Sequence, residues 1–205
     1  MPGRVFTQVL ELARERHGFV RTGDLRERGL DPKRLIDYSQ RGLADHLGHG
    51  LYRLKLIPPG MWDEFMLATL WPEGQGVLSH ETALDLHGLC DVNPNHIDVT
   101  VPKAYRTHRP VPAPYQFHWR VLPTGDVGSL EGMRIVTPAR AIADGIDAGL
   151  RPTLIEQAID TAEREALITG DVAGRLHATL TAQRPGSRRP RRPGPRARTA
   201  SAARP

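Results

Sequence analysis

Five side chains between positions 80 and 98, namely His80, His87, Cys90, His96 and Asp98, form the one concentration of metal-ligand types in the sequence. Structural zinc sites draw such residues from close, recurrent pairings of Cys and His. Here His80 and His87 stand seven positions apart, on nearly the same face of a helix, and the set matches no such pairing. Capping, surface and core roles account for these residues more simply, so no metal is expected. Cys90 beside His87 would be a nucleophile only with a depressed thiol pKa, and nothing around it in sequence supplies one. Phosphodiester cleavage needs carboxylates converging on a cation, often beside a lysine. Asp98 with Lys103 is the nearest approach, but Lys103 is the only lysine after residue 57 and no second strand carboxylate joins them. GQG at 74–76 and the glycines at 145–149 fit no phosphate-binding fingerprint. The reading is a non-enzymatic chain without a cofactor, and a metal-dependent nuclease is the enzymatic alternative.

A second set of side chains suits a different chemistry. On a helical wheel the stretch PKRLIDYSQR at 32–41 places Leu35, Ile36 and Ser39 on one side and Lys33, Arg34, Asp37 and Arg41 on the other, flanked by Tyr38 and Gln40. Cations, an amide and a phenol are the groups that meet phosphates and base edges in a major groove. The distribution of charge agrees. Within a net charge of +5, residues 1–57 hold eleven Lys/Arg against seven Asp/Glu, residues 58–183 hold nine against sixteen, and residues 184–205 hold eight arginines and no acid. An acidic middle repels a polyanion, which leaves the front and the tail as candidate nucleic-acid surfaces.

The elements that must position the basic helix can be read on either side of it. Phe6, Val9, Leu10 and Ala13 have helical spacing, predicting a first helix over Val5–Arg16 that ends before Gly18. Thr22 is expected to cap a short second helix closed by Gly29. Asp31 and Pro32 supply the cap and first residue of the third helix, which runs to about Arg41. After Gly42, LADHL, the turn Gly48-His49-Gly50 and LYRL read as a hairpin with Tyr52 and Leu54 on one face and Arg53 on the other. A charged helix face alone usually means only solvation. Three helices and a glycine-rich hairpin that agree in this order instead predict a winged helix-turn-helix. Its expected DNA-contacting residues are Thr22, Lys33, Arg34, Tyr38, Gln40, Arg41, His49 and Arg53, with His46 also within reach of the backbone.

Ile57-Pro58-Pro59-Gly60 breaks both periodicities and places a domain boundary after residue 57. Residues 58–183 read as a mixed α and β domain. Helices are expected over 61–70, from Ser79 to Leu89, from Thr137-Pro138, from Pro152 to about Ala166, and from Asp171 to about Ala182. Strands are expected at His96–Val101 and Gln116–Leu122, joined by a proline-rich loop at 102–114. The fold class is thus α+β with a small sheet. Residues 184–205 hold nothing larger and apolar than Ala or Pro and are expected to be disordered, either a basic tail for non-specific anchoring or an extension without specific function. No apolar run approaches the ~18 residues of a spanning helix, and charges occupy the place of a signal-peptide core. With the lone Cys90, this points to the cytoplasm. Arginine outnumbers lysine 25 to 3, the bias of a GC-rich bacterial coding sequence by association.

The run Gly18–Leu54, taken with LSHETALDLHGLCDVNPNHIDVTVP at 78–102 and IVTPARAIADGI at 135–146, resembles the AbiEi family of antitoxins from type IV toxin-antitoxin systems. The resemblance implies an N-terminal winged helix that represses the protein's own operon. It also implies a C-terminal domain that counters a co-encoded nucleotidyltransferase-like toxin without a stable complex. Lys33, Arg34, Tyr38, Gln40, Arg41 and Arg53 carry over as DNA-contacting positions, and no toxin-countering residue does. The partners so implied are double-stranded promoter DNA, bound as pairs on repeated half-sites, and the toxin; no membrane is involved. An orphan regulator whose C-terminal domain senses a ligand or partner is the alternative.

Overall fold

The computed structural model describes residues 3–183. The arginine-rich stretch 184–205, expected to be disordered, lies outside the described residues. In chain order the N-terminal part comprises α1 (Arg4–Arg14), β1 (Phe19–Arg21), α2 (Thr22–Glu27), α3 (Lys33–Gln40), β2 (Ala44–Gly48) and β3 (Leu51–Leu54). Val9, Leu12 and Ala13 of α1 meet Leu25, Leu35, Tyr38 and the strand residues Val20, Ala44, Tyr52 and Leu54 in one small core. β2 and β3 form the expected hairpin, with a bulge between His46 and Gly48. β1 adds antiparallel to the other edge of β3, giving the order β1-β3-β2. This is a winged helix. Three residues are too short a run to show strand periodicity, so the sequence gives no sign of β1.

Two helix starts show how the local chemistry works. Asp31 Oδ1 accepts from the Lys33 backbone N–H at 2.9 Å, as a capping carboxylate does, but α3 begins at Lys33 with Pro32 in the N-cap place, one residue later than expected. For α2 the expectation is corrected. Thr22 is the first helical residue and Arg21 the N-cap, because the Asp24 carboxylate reaches back to the Arg21 N–H at 2.8 Å. The Thr22 N–H instead bonds the carbonyl of Gly50 at 2.8 Å, tying α2 to the turn of the wing. A Cβ on Gly50 would sit 2.5 Å from Thr22 Oγ1, and its φ is +72°, so only glycine fits.

The remaining described elements are α4 (Asp63–Leu70), β4 (Val77–Leu78), α5 (His80–Leu86), β5 (Ile97–Val101), β6 (Tyr115–Trp119), β7 (Val127–Leu130), β8 (Met133–Val136), α6 (Pro138–Asp147), α7 (Pro152–Arg164) and α8 (Gly170–Gln183). The strands make one sheet of order β6-β5-β4-β8-β7. β5 pairs with β6 in parallel and with β4 antiparallel, β4 runs parallel to β8, and β7-β8 is a hairpin. Thr137 caps α6 as expected, accepting from the Arg140 N–H, with Pro138 at the first helical position. Glu131 and Gly132 both take positive φ, at 48° and 76°, as a two-residue hairpin turn requires. That hairpin and β4 are additions to the expected sheet. Its strand VGSL has too few apolar residues to alternate visibly.

The two parts share a sheet face. Alternation along β1 and β3 sends Val20, Tyr52 and Leu54 into the small core, while Phe19 and Leu51 enter the larger core of the second part. Polar ties follow the same seam: Arg53 Nη2 meets Asp63 Oδ2 at 2.9 Å, His17 Nε2 bonds the Glu131 carbonyl at 2.8 Å, and Arg21 donates to the Glu73 carbonyl.

Asp24 is 2% exposed and is held by the guanidinium groups of Arg16 and Arg21. Burial by itself would raise its carboxyl pKa, but hydrogen bonds from Arg16 and Arg21 outweigh it and hold the group below its ordinary value. Replacing Asp24 with Ala should cost about 2 kcal/mol at pH 7, less than a fully buried pair because both arginines keep some water. A carboxyl whose folded pKa is depressed stabilises fully above its unfolded value near ~4 and loses that contribution as pH falls through the folded one. Urea unfolding of the two proteins should therefore differ at pH 7 and converge in stronger acid. A difference that persists unchanged in acid would contradict the ion-pair account.

Candidate nucleic-acid interface

The exposed face of α3 is built by the cap at Asp31 and by what the opposite face buries. Leu35 is fully buried and Tyr38 nearly so, with its ring edge-on to Phe6 at 5.3 Å. The buried stripe is thus Leu35-Tyr38, rotated by somewhat less than one ~100° residue step from Leu35-Ile36-Ser39. Tyr38 wins the core position because its large ring fills the space against α1. Ile36 moves outward in exchange and is 46% exposed. Burial raises the Tyr38 hydroxyl pKa, and the nearby Arg34 and Arg41 only partly oppose this.

Lys33, Arg34, Gln40 and Arg41 are all exposed on α3, and His49 is exposed at the tip of the wing. Arg34 and Arg41 flank a groove of about 560 Å³ between α3 and the start of α1, and Arg4 lines its other side. Arg4 belongs to the basic front of the chain, yet its place beside α3 follows only from the packing of α1. A groove with three guanidiniums on its rim suits a phosphate backbone. His46, also exposed on the wing, stacks on Tyr52 with ring centroids 4.7 Å apart.

Three of the expected contact residues are placed differently. Arg53 is engaged in the seam with Asp63 and lies over the Phe19 ring at 5.6 Å. Tyr38 has only its rim at the groove. Thr22 packs its hydroxyl against Gly50. Tertiary packing claimed Tyr38 and Arg53, which the helical wheel and strand alternation left toward the outside, and Thr22, expected as a cap, lies one residue inside α2.

This arrangement has a counterpart among known proteins. Residues 8–55 match the family profile described as "Transcriptional regulator, AbiEi antitoxin". The N-terminal unit is similar to this family. The match ends one residue beyond β3, so it covers the winged helix and none of the second part. Comparison with curated proteins gives no match.

Outside the winged helix, polar chemistry gathers on one face of the five-stranded sheet. Ser79, Thr82, Asp98 and Thr100 are almost completely buried there. The Thr82 hydroxyl accepts from the Asp98 N–H at 2.8 Å, and the Thr100 hydroxyl donates to Ser79 Oγ at 2.8 Å. His118 Nε2 lies 2.7 Å from Asp98 Oδ1, and His80 stacks on His118 at 3.6 Å between centroids. Burial first, and then His118, push the His80 pKa down to about 4. Asp144, wholly buried on α6, takes Arg120 and Arg140. Asp98 therefore meets histidines and has neither a second carboxylate nor Lys103 beside its oxygen. His87 and Cys90 play other parts: His87 bonds the Val136 carbonyl at 2.8 Å, and burial raises the Cys90 thiol pKa. His118, unlike His80 and Asp98, was not visible as a partner in sequence, since only the parallel pairing of β5 with β6 brings it there. No described helix is long and apolar enough to cross a membrane.

Proposed function

We propose that this chain is a DNA-binding regulator and antitoxin that represses its own operon and counters a co-encoded nucleotidyltransferase-like toxin. The observation that carries the DNA half is the groove beside α3, rimmed by Arg4, Arg34 and Arg41 within a module similar to the AbiEi family. Lys33, Arg34, Gln40 and Arg41 enter the major groove, and His49 on the wing meets the backbone or the minor groove. Exposed Ile36 adds an apolar contact of the kind that reads a thymine methyl. Arg53, Tyr38 and Thr22 support this surface from beneath. Specific sites for such modules come as repeated half-sites, so two chains act together on the promoter. The protein works in the cytoplasm and catalyses no reaction. Residues 58–183 carry the antitoxin role, and the orphan-regulator alternative differs only in what that part senses.

Changing Arg34 and Arg41 together to Ala should weaken binding to a promoter fragment and lower the salt slope by up to about two units. Undiminished binding by the folded double variant would rule out the α3 groove as the DNA surface. The antitoxin half is tested separately. Co-expression of the full chain with a neighbouring nucleotidyltransferase should restore growth, and the same double variant should rescue as well as the parent when both are driven from foreign promoters. Growth arrest despite abundant folded protein would leave the orphan regulator as the better reading.

A further inference from the structure

The polar face of the five-stranded sheet lies outside the winged helix, and it is costly to build. Burying hydroxyls, imidazoles and a carboxylate between a sheet and its covering helices lowers stability unless each is matched. Three of these side chains do more than match one another. His80, Asp98 and His118 each offer one ligand atom, and the three atoms all lie within 4.8 Å of one another, the only such group of three or more His, Cys, Asp or Glu side chains found among the described residues. They come from three separate elements, the start of α5, the middle of β5 and β6.

The surroundings resemble a metal site in their second layer. His80 Nδ1 is tied to Ser79 Oγ at 2.9 Å, and Ser79 is itself bonded by Thr100, which leaves His80 Nε2 as the free ring nitrogen. A polar partner on the non-ligating nitrogen, the place Ser79 Oγ takes here, fixes the tautomer of a ligating histidine in metal centres. His80 also takes φ +52°, an uncommon conformation for a residue with a Cβ, on a strand-turn-helix corner that aims it at the cluster. Asp98 is held on its strand by Thr82 and is 3% exposed, so its position is set before any ligand arrives.

We propose that His80, Asp98 and His118 form a binding site for a divalent transition-metal ion of the zinc class. Two imidazoles and one carboxylate make a borderline-soft donor set that favours zinc, cobalt or nickel over magnesium or calcium. Binding displaces to water the Nε2 proton that His118 donates to Asp98 Oδ1, whose 2.7 Å contact opens toward the ~3.3 Å ligand separation of a tetrahedral ion, and the His80 ring turns out of its 3.6 Å stack on His118, because two parallel ring planes cannot both contain one ion. A fourth position remains for water or for His96, whose Nε2 lies 3.4 Å from the same Asp98 oxygen. An ion here pins α5 to the two parallel strands. The inference is independent of how the winged helix reads DNA.

The test uses full-length protein stripped with a chelator, then titrated with Zn²⁺ against a chromophoric competitor and with Co²⁺ followed by visible absorption. One equivalent should bind, with the intense d–d bands of low-symmetry cobalt, and Zn²⁺ should raise the melting temperature. His118→Ala should weaken binding at least about tenfold, since even outer-layer changes commonly cost that much. Asp98→Asn, which keeps shape while removing charge, should do the same and serves if His118→Ala folds poorly. His177→Ala, on the surface pair with Asp160, should bind as the parent does. No saturable binding by the parent, or equal affinity in parent, H118A and D98N, would overturn the site.

Discussion

The structure depends on a strand pair that is buried on both faces. β1 and β3 turn Val20, Tyr52 and Leu54 toward the helices of the winged module and Phe19 and Leu51 toward the core behind it. A sheet with two apolar faces cannot leave either in water without losing roughly 25 cal/mol for each Å² exposed. The wing is therefore fixed by the second part of the chain as well as by its own helices. Arg53-Asp63 and His17-Glu131 add direction to a contact that apolar burial makes favourable. The consequence is a base for α3 that is packed from both sides, with Lys33, Arg34 and Arg41 left exposed on the helix.

The helices were legible and the strand pairing of this seam was not. Asp31-Pro32, Thr137-Pro138 and the helical apolar spacings each act within a few residues, and the structure repeats them to within a residue or two except at the end of α5, which stops at Leu86, three residues before the expected Leu89. β1 and β7 are short or polar and acquire their identity only from a partner strand far along the chain. The same distinction explains the DNA face. Lys33, Arg34, Gln40 and Arg41 are exposed because charge and amide groups resist burial wherever the helix packs. Tyr38 and Ile36 exchange places because either could fill the core, and the space against Phe6 decides in favour of the ring.

Asp98 and His118 illustrate the limit from the other side. Asp98 and Thr100 alternate with Ile97, Val99 and Val101, which in isolation reads as a strand with one wet face. Covering helices bury both faces, and the hydroxyls, imidazoles and carboxylate then have to satisfy one another. His80 and Asp98 stood out in sequence by type, whereas His118 joined them only through strand pairing. A basic groove on one part and a histidine-carboxylate cluster on the other are thus separate chemistries on a shared frame.

Hydrogen exchange of the full chain, with and without a duplex from its own promoter, tests the DNA-reading account most directly. The account predicts slowed exchange across residues 33–49, from α3 through the turn of the wing, and little change in α7 and α8. Slowing confined to α5–α8, with residues 33–49 exchanging as in the free protein, would contradict it.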